Sequence, residues 1–214
     1  MPQKNFAWSL DERKFLIESE VKKLRNILRV GKDKAKNSGR KTPVKDWFIV
    51  EVAVNTGLRV GEISLLQCGD FRVHGKRHYL IVRKGKGGKS RIVRFSSNFQ
   101  KEFDEFIEWK RNANESKEET APLFVSSKTG SKMTTRAMQK AFKRSLRKAG
   151  IDERKYSIHC LRHTYASFPY KGSGYNLRLV QEQLGHSSIR TTEVYARALD
   201  TDIDKAVEKL FKNQ

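Results

Sequence analysis

A histidine and an arginine three residues apart point to chemistry on a phosphate group. His159 and Arg162 lie in the segment IHCLRHTYAS, and this spacing places an imidazole and a guanidinium on the same side of a helix. The imidazole can move a proton while the guanidinium holds an oxyanion. Because a surface histidine beside an arginine is the commoner meaning of this pattern, the interpretation needs partners elsewhere in the chain.

A second arginine lies where a helix is expected to end. Arg59 follows Gly57 in the segment TGLRVGEIS, and glycine commonly terminates helices. At such a position the five donors of a guanidinium can point into a cleft. The alternative is a surface arginine that pairs with Glu62, three residues further on, and the segment alone supports both equally.

The glycine-rich segment RKGKGGKSR carries three lysines, Lys84, Lys86 and Lys89. Its end resembles a phosphate-binding P-loop, but a P-loop has glycine five residues before Gly88, and that position is Arg83. The flanking runs HYLIVR and SRIVRF predict two strands joined by a turn. The sequence therefore argues against nucleotide binding and predicts a hairpin tip that reaches a DNA backbone or delivers a proton.

The fourth segment, LGHSSIRTTEVYAR, places a histidine before a predicted helix and a tyrosine inside it. His186 precedes Ser187, which suits a helix N-cap, and Tyr195 follows about two turns later. Taken alone, this tyrosine fits a core or rim residue of an amphipathic helix.

In this order and spacing, the four segments resemble the catalytic domain of the tyrosine recombinase, or phage integrase, family over about residues 10–200. The resemblance implies that Arg59 and Arg162 hold the non-bridging oxygens of the scissile phosphate, where charge builds in the transition state. It also implies that Tyr195 attacks phosphorus, and that Glu62 orients its neighbours. The remaining implied roles are proton removal from the tyrosine by His159, a hydrogen bond to the phosphate from His186, and protonation of the leaving 5′-oxygen by Lys86, which the GKG register selects.

The resemblance implies a site-specific recombinase that works through a 3′-phosphotyrosyl bond. That bond conserves the energy of the phosphodiester, so a free 5′-hydroxyl can reseal the strand without ATP and, by resemblance, without a metal. The sequence agrees, since it has no P-loop, acidic metal cluster or HExxH motif. We expect no cofactor and no metal site.

The composition favours a polyanionic partner. The chain has 45 Lys and Arg against 24 Asp and Glu, a formal charge of +21 and a pI near 10.1, which makes double-stranded DNA the leading candidate. The basic face of residues 140–148 suits either phosphate contact or solvated surface. The candidate DNA contacts are Lys84, Lys89, Arg91, Lys140 and Arg144.

Other function classes are disfavoured. No apolar run approaches the roughly 20 residues that span a bilayer, and the first residues lack a signal-peptide core, so we expect a soluble, intracellular protein that acts on DNA in the cytoplasm. Cys68 and Cys160 form no CxxC pair and are expected to be buried thiols.

The patterning predicts a mainly α protein with a small antiparallel β-sheet (α+β), the sheet being the hairpin described above. Ser9 and Glu12 suggest a capping box for the first helix, residues 31–43 are expected to form a loop, and Pro169 is expected to break a helix. The predicted helices span about residues 10–29, 43–57, 60–66, 97–112, 132–149, 158–168, 176–184, 187–198 and 202–212.

We expect one catalytic domain over residues 1–214, with a core at about 10–200 and a C-terminal helix or tail at 201–214. Familiar integrases carry a core-binding domain before it, and fewer than 60 residues precede Arg59. The chain is therefore either an excised fragment or similar to short members that invert fimbrial promoter DNA. By resemblance it forms a homotetramer on DNA, and we expect a monomer when it is free. The last helix either packs on its own domain or passes to a neighbouring subunit.

Two alternatives to recombination remain at this stage. A type IB topoisomerase uses a similar active site to relax strands without exchanging them. A non-catalytic DNA-binding protein could retain the fold, but such a protein has no need of a tyrosine placed for attack.

Overall fold

The computed structural model describes residues 15–83, 85, 88, 90–172 and 176–185. The helices are α1 (Glu18–Asn37), α2 (Lys41–Thr56), α3 (Val60–Ser64), α4 (Ser97–Asn112), α5 (Thr135–Lys148), α6 (His159–Gly172) and α7 (Leu177–Leu184). The strands are β1 (Phe71–His74), β2 (Arg77–Val82) and β3 (Arg91–Phe95), and a short 3-10 helix spans Cys68–Asp70. This architecture confirms the predicted fold class.

Helix α2 forms the centre of the core. Its sequence is apolar on nearly every face, as expected of a fully buried helix, and it packs against α1, α4, α5 and α6. The ring of Phe48 stacks on that of Phe106 with centroids 4.2 Å apart and also meets Phe99, Phe103 and Phe124. The well-packed helix α2 therefore fixes the position of α6 and of the residues that follow α2.

Helix α1 is longer at its C-terminal end than predicted, and the loop expected at residues 31–43 is wrong. The buried positions Val21, Leu24 and Leu28 continue through Lys32 and Ala35, which keeps the helical spacing. Lys32 fits because its ammonium lies 4.5 Å from the centroid of the Trp47 ring and 2.6 Å from Glu105 Oε1. The capping box expected at residues 9–12 lies outside the described residues.

The sheet has one more strand than predicted. Its strands are antiparallel in the order β1-β2-β3, with Leu80 opposite both Phe71 and Val93. Strand β1 is only four residues long and its Val73 is exposed. Its sequence therefore lacks the alternation of apolar and polar residues that would predict a strand. The ring of Phe71 in β1 nevertheless stacks on that of Phe103 in α4, with centroids 4.0 Å apart.

The helical predictions for residues 60–66, 97–112, 132–149 and 176–184 correspond to α3, α4, α5 and α7. The expected break at Pro169 is wrong, because α6 continues to Gly172. A proline near the end of a helix removes a single backbone hydrogen bond, which the remaining turns tolerate. The helices predicted at 187–198 and 202–212 lie outside the described residues.

Candidate active site

Arg59 lies at the junction between α2 and α3. Helix α2 ends at Gly57, whose φ of 61° is left-handed, and Arg59 is the N-cap residue of α3. The backbone N–H of Arg59 donates to Glu62 Oε2 at 2.8 Å, and its Nη1 donates to Glu62 Oε1 at 3.3 Å. Both the backbone and the guanidinium of Arg59 are therefore fixed by one carboxylate.

Glu62 is the buried centre of this cluster. It is 6% exposed and also accepts from Arg91 Nη1 at 2.7 Å and Nη2 at 3.0 Å. Burial acts to raise the pKa of Glu62, but the hydrogen bonds from Arg91 and the Arg59 backbone, with the charges of Arg91 and Arg162, outweigh it and lower the pKa. The pairing of Arg59 with Glu62 thus belongs to a buried site and not to the surface.

Arg162 joins the ends of two helices. It is buried on α6, and its Nη1 donates to the carbonyl of Gly57 at 2.6 Å while its Nη2 donates to the carbonyl of Leu184 at 2.7 Å. These acceptors end α2 and α7, where helix carbonyls lack intrahelical partners. The rigid fork of a guanidinium can hold both at once, so Arg162 sets the spacing of the two helix ends.

His159 begins α6, one turn before Arg162. Its pKa is lowered by desolvation and then by the positive charges of Arg162 and Arg59. Both guanidinium groups therefore lie near enough to the imidazole to influence its protonation. With a pKa below its usual 6.5, the imidazole is neutral at pH 7 and can accept a proton.

Close packing around Gly57 and Gly185 was not foreseen from the sequence. A Cβ at Gly57 would lie 2.3 Å from Tyr165 Cδ1 and 2.9 Å from Leu184 Cδ2, and a Cβ at Gly185 would lie 2.6 Å from Arg91 Cδ. Burial raises the pKa of Tyr165 to about 12, despite the nearby charges of Arg162 and Arg91. Tyr165 therefore packs as a neutral side chain beneath the site.

The candidate DNA contacts differ in their surroundings. Arg91 is bound to Glu62 as described, and Arg144 binds Asp46 of α2 through Nε at 2.7 Å and Nη2 at 2.6 Å. Both guanidinium groups therefore have structural partners, which favours roles within the fold. Lys140 is exposed and remains a candidate contact.

The other proposed site residues, Lys84, Lys86, Lys89, His186 and Tyr195, lie outside the described residues. Among the residues that the structure does describe, no three His, Cys, Asp or Glu side chains could together hold a metal ion. Likewise, no described helix is long and apolar enough to cross a membrane. The described site offers the guanidinium groups of Arg59 and Arg162 near a buried carboxylate that Arg91 holds, and paired guanidinium groups are suited to binding a phosphate.

The sequence model of the Phage integrase family matches residues 14–202. The chain belongs to the phage integrase family. Tyrosine recombinase XerA of Pyrococcus furiosus is 34% identical over 198 residues, which are 92% of this chain and 61% of that protein. Tyrosine recombinase XerD of Corynebacterium glutamicum is 35% identical over 156 residues, which are 72% of this chain and 49% of that protein.

Solved structures of the family share this fold. A post-cleavage complex of the XerH site-specific recombinase with a palindromic difH substrate superimposes with a TM-score of 0.73 at 26% identity, covering 92% of this chain and 53% of that one. The XerA recombinase gives a TM-score of 0.67 at 29% identity, covering 88% and 64%. The chain therefore spans about half to two thirds of its relatives and has the fold of a tyrosine recombinase catalytic domain, which confirms the family inferred from the motifs.

Proposed function

We propose that this protein is a site-specific DNA recombinase or integrase that cleaves and rejoins DNA strands through a 3′-phosphotyrosyl intermediate, without ATP or metal. The observation that carries the proposal is the proximity of Arg59 and Arg162, whose charges both act on the imidazole of His159. Arg59 is bound to buried Glu62, and Arg162 donates to the carbonyl of Gly57, two residues before Arg59. These groups match the demands of phosphoryl transfer, in which anionic oxygens must be held while a proton moves.

In the proposed reaction, the Oη of Tyr195 forms a bond to phosphorus and the bond from phosphorus to the 5′-oxygen breaks. Arg59 and Arg162 hold the non-bridging oxygens, and His186 donates a hydrogen bond to the phosphate. His159 assists removal of the phenolic proton, which is needed because an unperturbed tyrosine has a pKa near 10. Lys86 protonates the leaving 5′-oxygen, and a 5′-hydroxyl from another strand reverses the steps.

Double-stranded DNA is the proposed partner. The net charge of +21 supports it, and the solved XerH complex contains its difH substrate. We further propose a homotetramer on DNA, a monomer when free, and action inside the cell on the DNA of a mobile element.

Covalent trapping tests the proposal. The protein is incubated with nicked suicide duplexes drawn from the ends of its genetic element, beside a Tyr195→Phe variant, and the products are separated on a denaturing gel. We expect a protein–DNA adduct from the parent alone, and strand exchange when two sites are supplied. Bound DNA without an adduct would leave a DNA-binding protein, and relaxation of supercoils without exchange would indicate a topoisomerase.

The lowered pKa of His159 predicts the pH dependence of cleavage. Because the imidazole must be neutral to accept a proton, the rate should rise with pH to a midpoint below the usual histidine value of 6.5 and be level at neutral pH. Single-turnover adduct formation measured against pH gives this midpoint. His159→Gln should slow cleavage about 10²-fold and remove the acid limb. A limb that persists in the variant would assign the titration to another group.

A further inference from the structure

Arg91 connects three parts of the site. It is the first residue of β3, its side chain is 13% exposed, and it binds both oxygens of Glu62. Its Nε also lies 3.5 Å from the carbonyl of Gln183, near the end of α7. One guanidinium thus links the hairpin strand to α3 and to α7.

The contact with α7 is unusually close. Helix α7 ends at Gly185 with a φ of 64°, and the stem of Arg91 fills the space where a side chain at Gly185 would begin. The neighbouring carbonyl, that of Leu184, accepts from Arg162. Arg91 therefore contacts the segment that holds Arg162.

The second contact of Arg91, with Glu62, affects Arg59, the other arginine proposed to bind the phosphate. Glu62 fixes Arg59 through the backbone N–H and Nη1, and Arg91 makes the two shortest side-chain hydrogen bonds to that carboxylate. If Arg91 were removed, the carboxylate of Glu62 would lose two of the hydrogen bonds that fix its orientation. Arg59, which is bound to the same carboxylate, would then be held less firmly.

We propose that Arg91 is a positioning residue that holds Arg59 and Arg162 in register for phosphate binding. The proposal rests on the recombinase function above. Arg91 acts through Glu62 and through residues 183–185, and it makes no DNA contact of its own. The geometry requires arginine, because only a guanidinium fork can donate to both carboxylate oxygens in parallel.

The test compares Arg91→Met and Arg91→Lys with Arg94→Met as the matched control. Arg94 is exposed on the opposite face of the same strand, and its backbone N–H, which bonds Gln183 Oε1, survives the substitution. Each variant is assayed for duplex affinity, thermal unfolding and the single-turnover rate of adduct formation. A second substrate carries a methylphosphonate at the scissile position, where a neutral methyl group replaces one charged oxygen.

We expect Arg91→Met to cleave the phosphodiester about 100-fold more slowly and Arg91→Lys about tenfold more slowly, with Arg94→Met within about threefold of the parent. Duplex affinity should change little in all three. The methylphosphonate has one charged oxygen fewer, so its transition state needs less stabilisation by Arg59 and Arg162. On this substrate both Arg91 variants should approach the parent rate. A purely structural defect would slow both substrates equally.

Distinct outcomes overturn the two proposals. If the parent forms no adduct with either substrate, the recombinase function fails. If the parent cleaves and the folded Arg91→Lys variant cleaves equally fast, or if the defect is the same on both substrates, the positioning role is wrong. A loss of duplex affinity confined to the Arg91 variants would instead make Arg91 a DNA contact. Should Arg91→Met not fold, Arg91→Lys alone decides.

Discussion

Replacing Arg162 by lysine is expected to slow adduct formation about 10³-fold, because the guanidinium that we propose to stabilise the transition state is lost from a desolvated site. The guanidinium of Arg162 holds the carbonyls of Gly57 and Leu184 simultaneously, and an ammonium has no planar fork to do so. A lysine that keeps one carbonyl leaves the other without its partner in a buried place, at a cost of about 1 to 3 kcal/mol. The loss therefore combines weaker phosphate binding with displaced helix ends.

The measurement is the single-turnover rate at a temperature well below the unfolding midpoint of the variant, so that the folded fraction is complete. Arg178→Lys is the matched control, since Arg178 lies on α7 and its side chain is 84% exposed beside Glu182. That exchange should alter neither the rate nor the unfolding midpoint. A folded Arg162→Lys variant that cleaves within tenfold of the parent would show that Arg162 serves the scaffold alone.

Local spacing in the sequence predicted which residues of the site are neighbours, but it did not decide whether Arg59 and Glu62 pair in a cleft or on the surface. His159 and Arg162 share one side of α6 because residues three apart are neighbours on a helix. Arg59 follows the glycine that ends α2, and Glu62 meets it one turn later. Each of these pairs lies within three residues in the chain, so the spacing within a short motif is enough to predict that its members are neighbours.

Long-range contacts explain what the sequence did not reveal. Arg91 was named as a candidate DNA contact from the sequence, and in the structure it shares an inward face of β3 with Val93. The alternation in RIVRF indicates that face, but its partner Glu62 lies 29 residues away in the chain. The buried Lys32 in α1 was missed for the same reason, since its partner Glu105 belongs to α4.

The ends of α2 and α7 are where packing is expected to affect the proposed catalysis. The two helix ends meet at Gly57 and Leu184, and Arg162 binds the carbonyl of each. A substitution that separates them must move the guanidinium as well. Stability and cleavage are therefore expected to respond together at this point of the fold, although no residue in the contact takes part in proton transfer.

Gly57→Ala is expected to lower the free energy of unfolding by about 2 to 5 kcal/mol, a large share of the total stability of a typical domain. A left-handed backbone costs alanine about 1 to 2 kcal/mol, and the new Cβ would lie 2.3 Å from Tyr165 Cδ1 and 2.9 Å from Leu184 Cδ2. Overpacking of this kind adds about 1 to 3 kcal/mol. Because Tyr165 and Leu184 are buried, neither has space to retreat without moving α6 or α7.

Gly39→Ala separates the two contributions. Gly39 has a φ of 67°, close to that of Gly57, but a Cβ there would meet nothing within 4 Å. Urea unfolding should show a loss of only about 1 to 2 kcal/mol for this control, with unchanged cleavage. The folded fraction of Gly57→Ala should cleave more slowly than the parent, because the displaced Leu184 carbonyl moves its donor Arg162. Equal destabilisation of the two variants would mean that strain at φ alone, and not the contact between the helix ends, requires glycine at position 57.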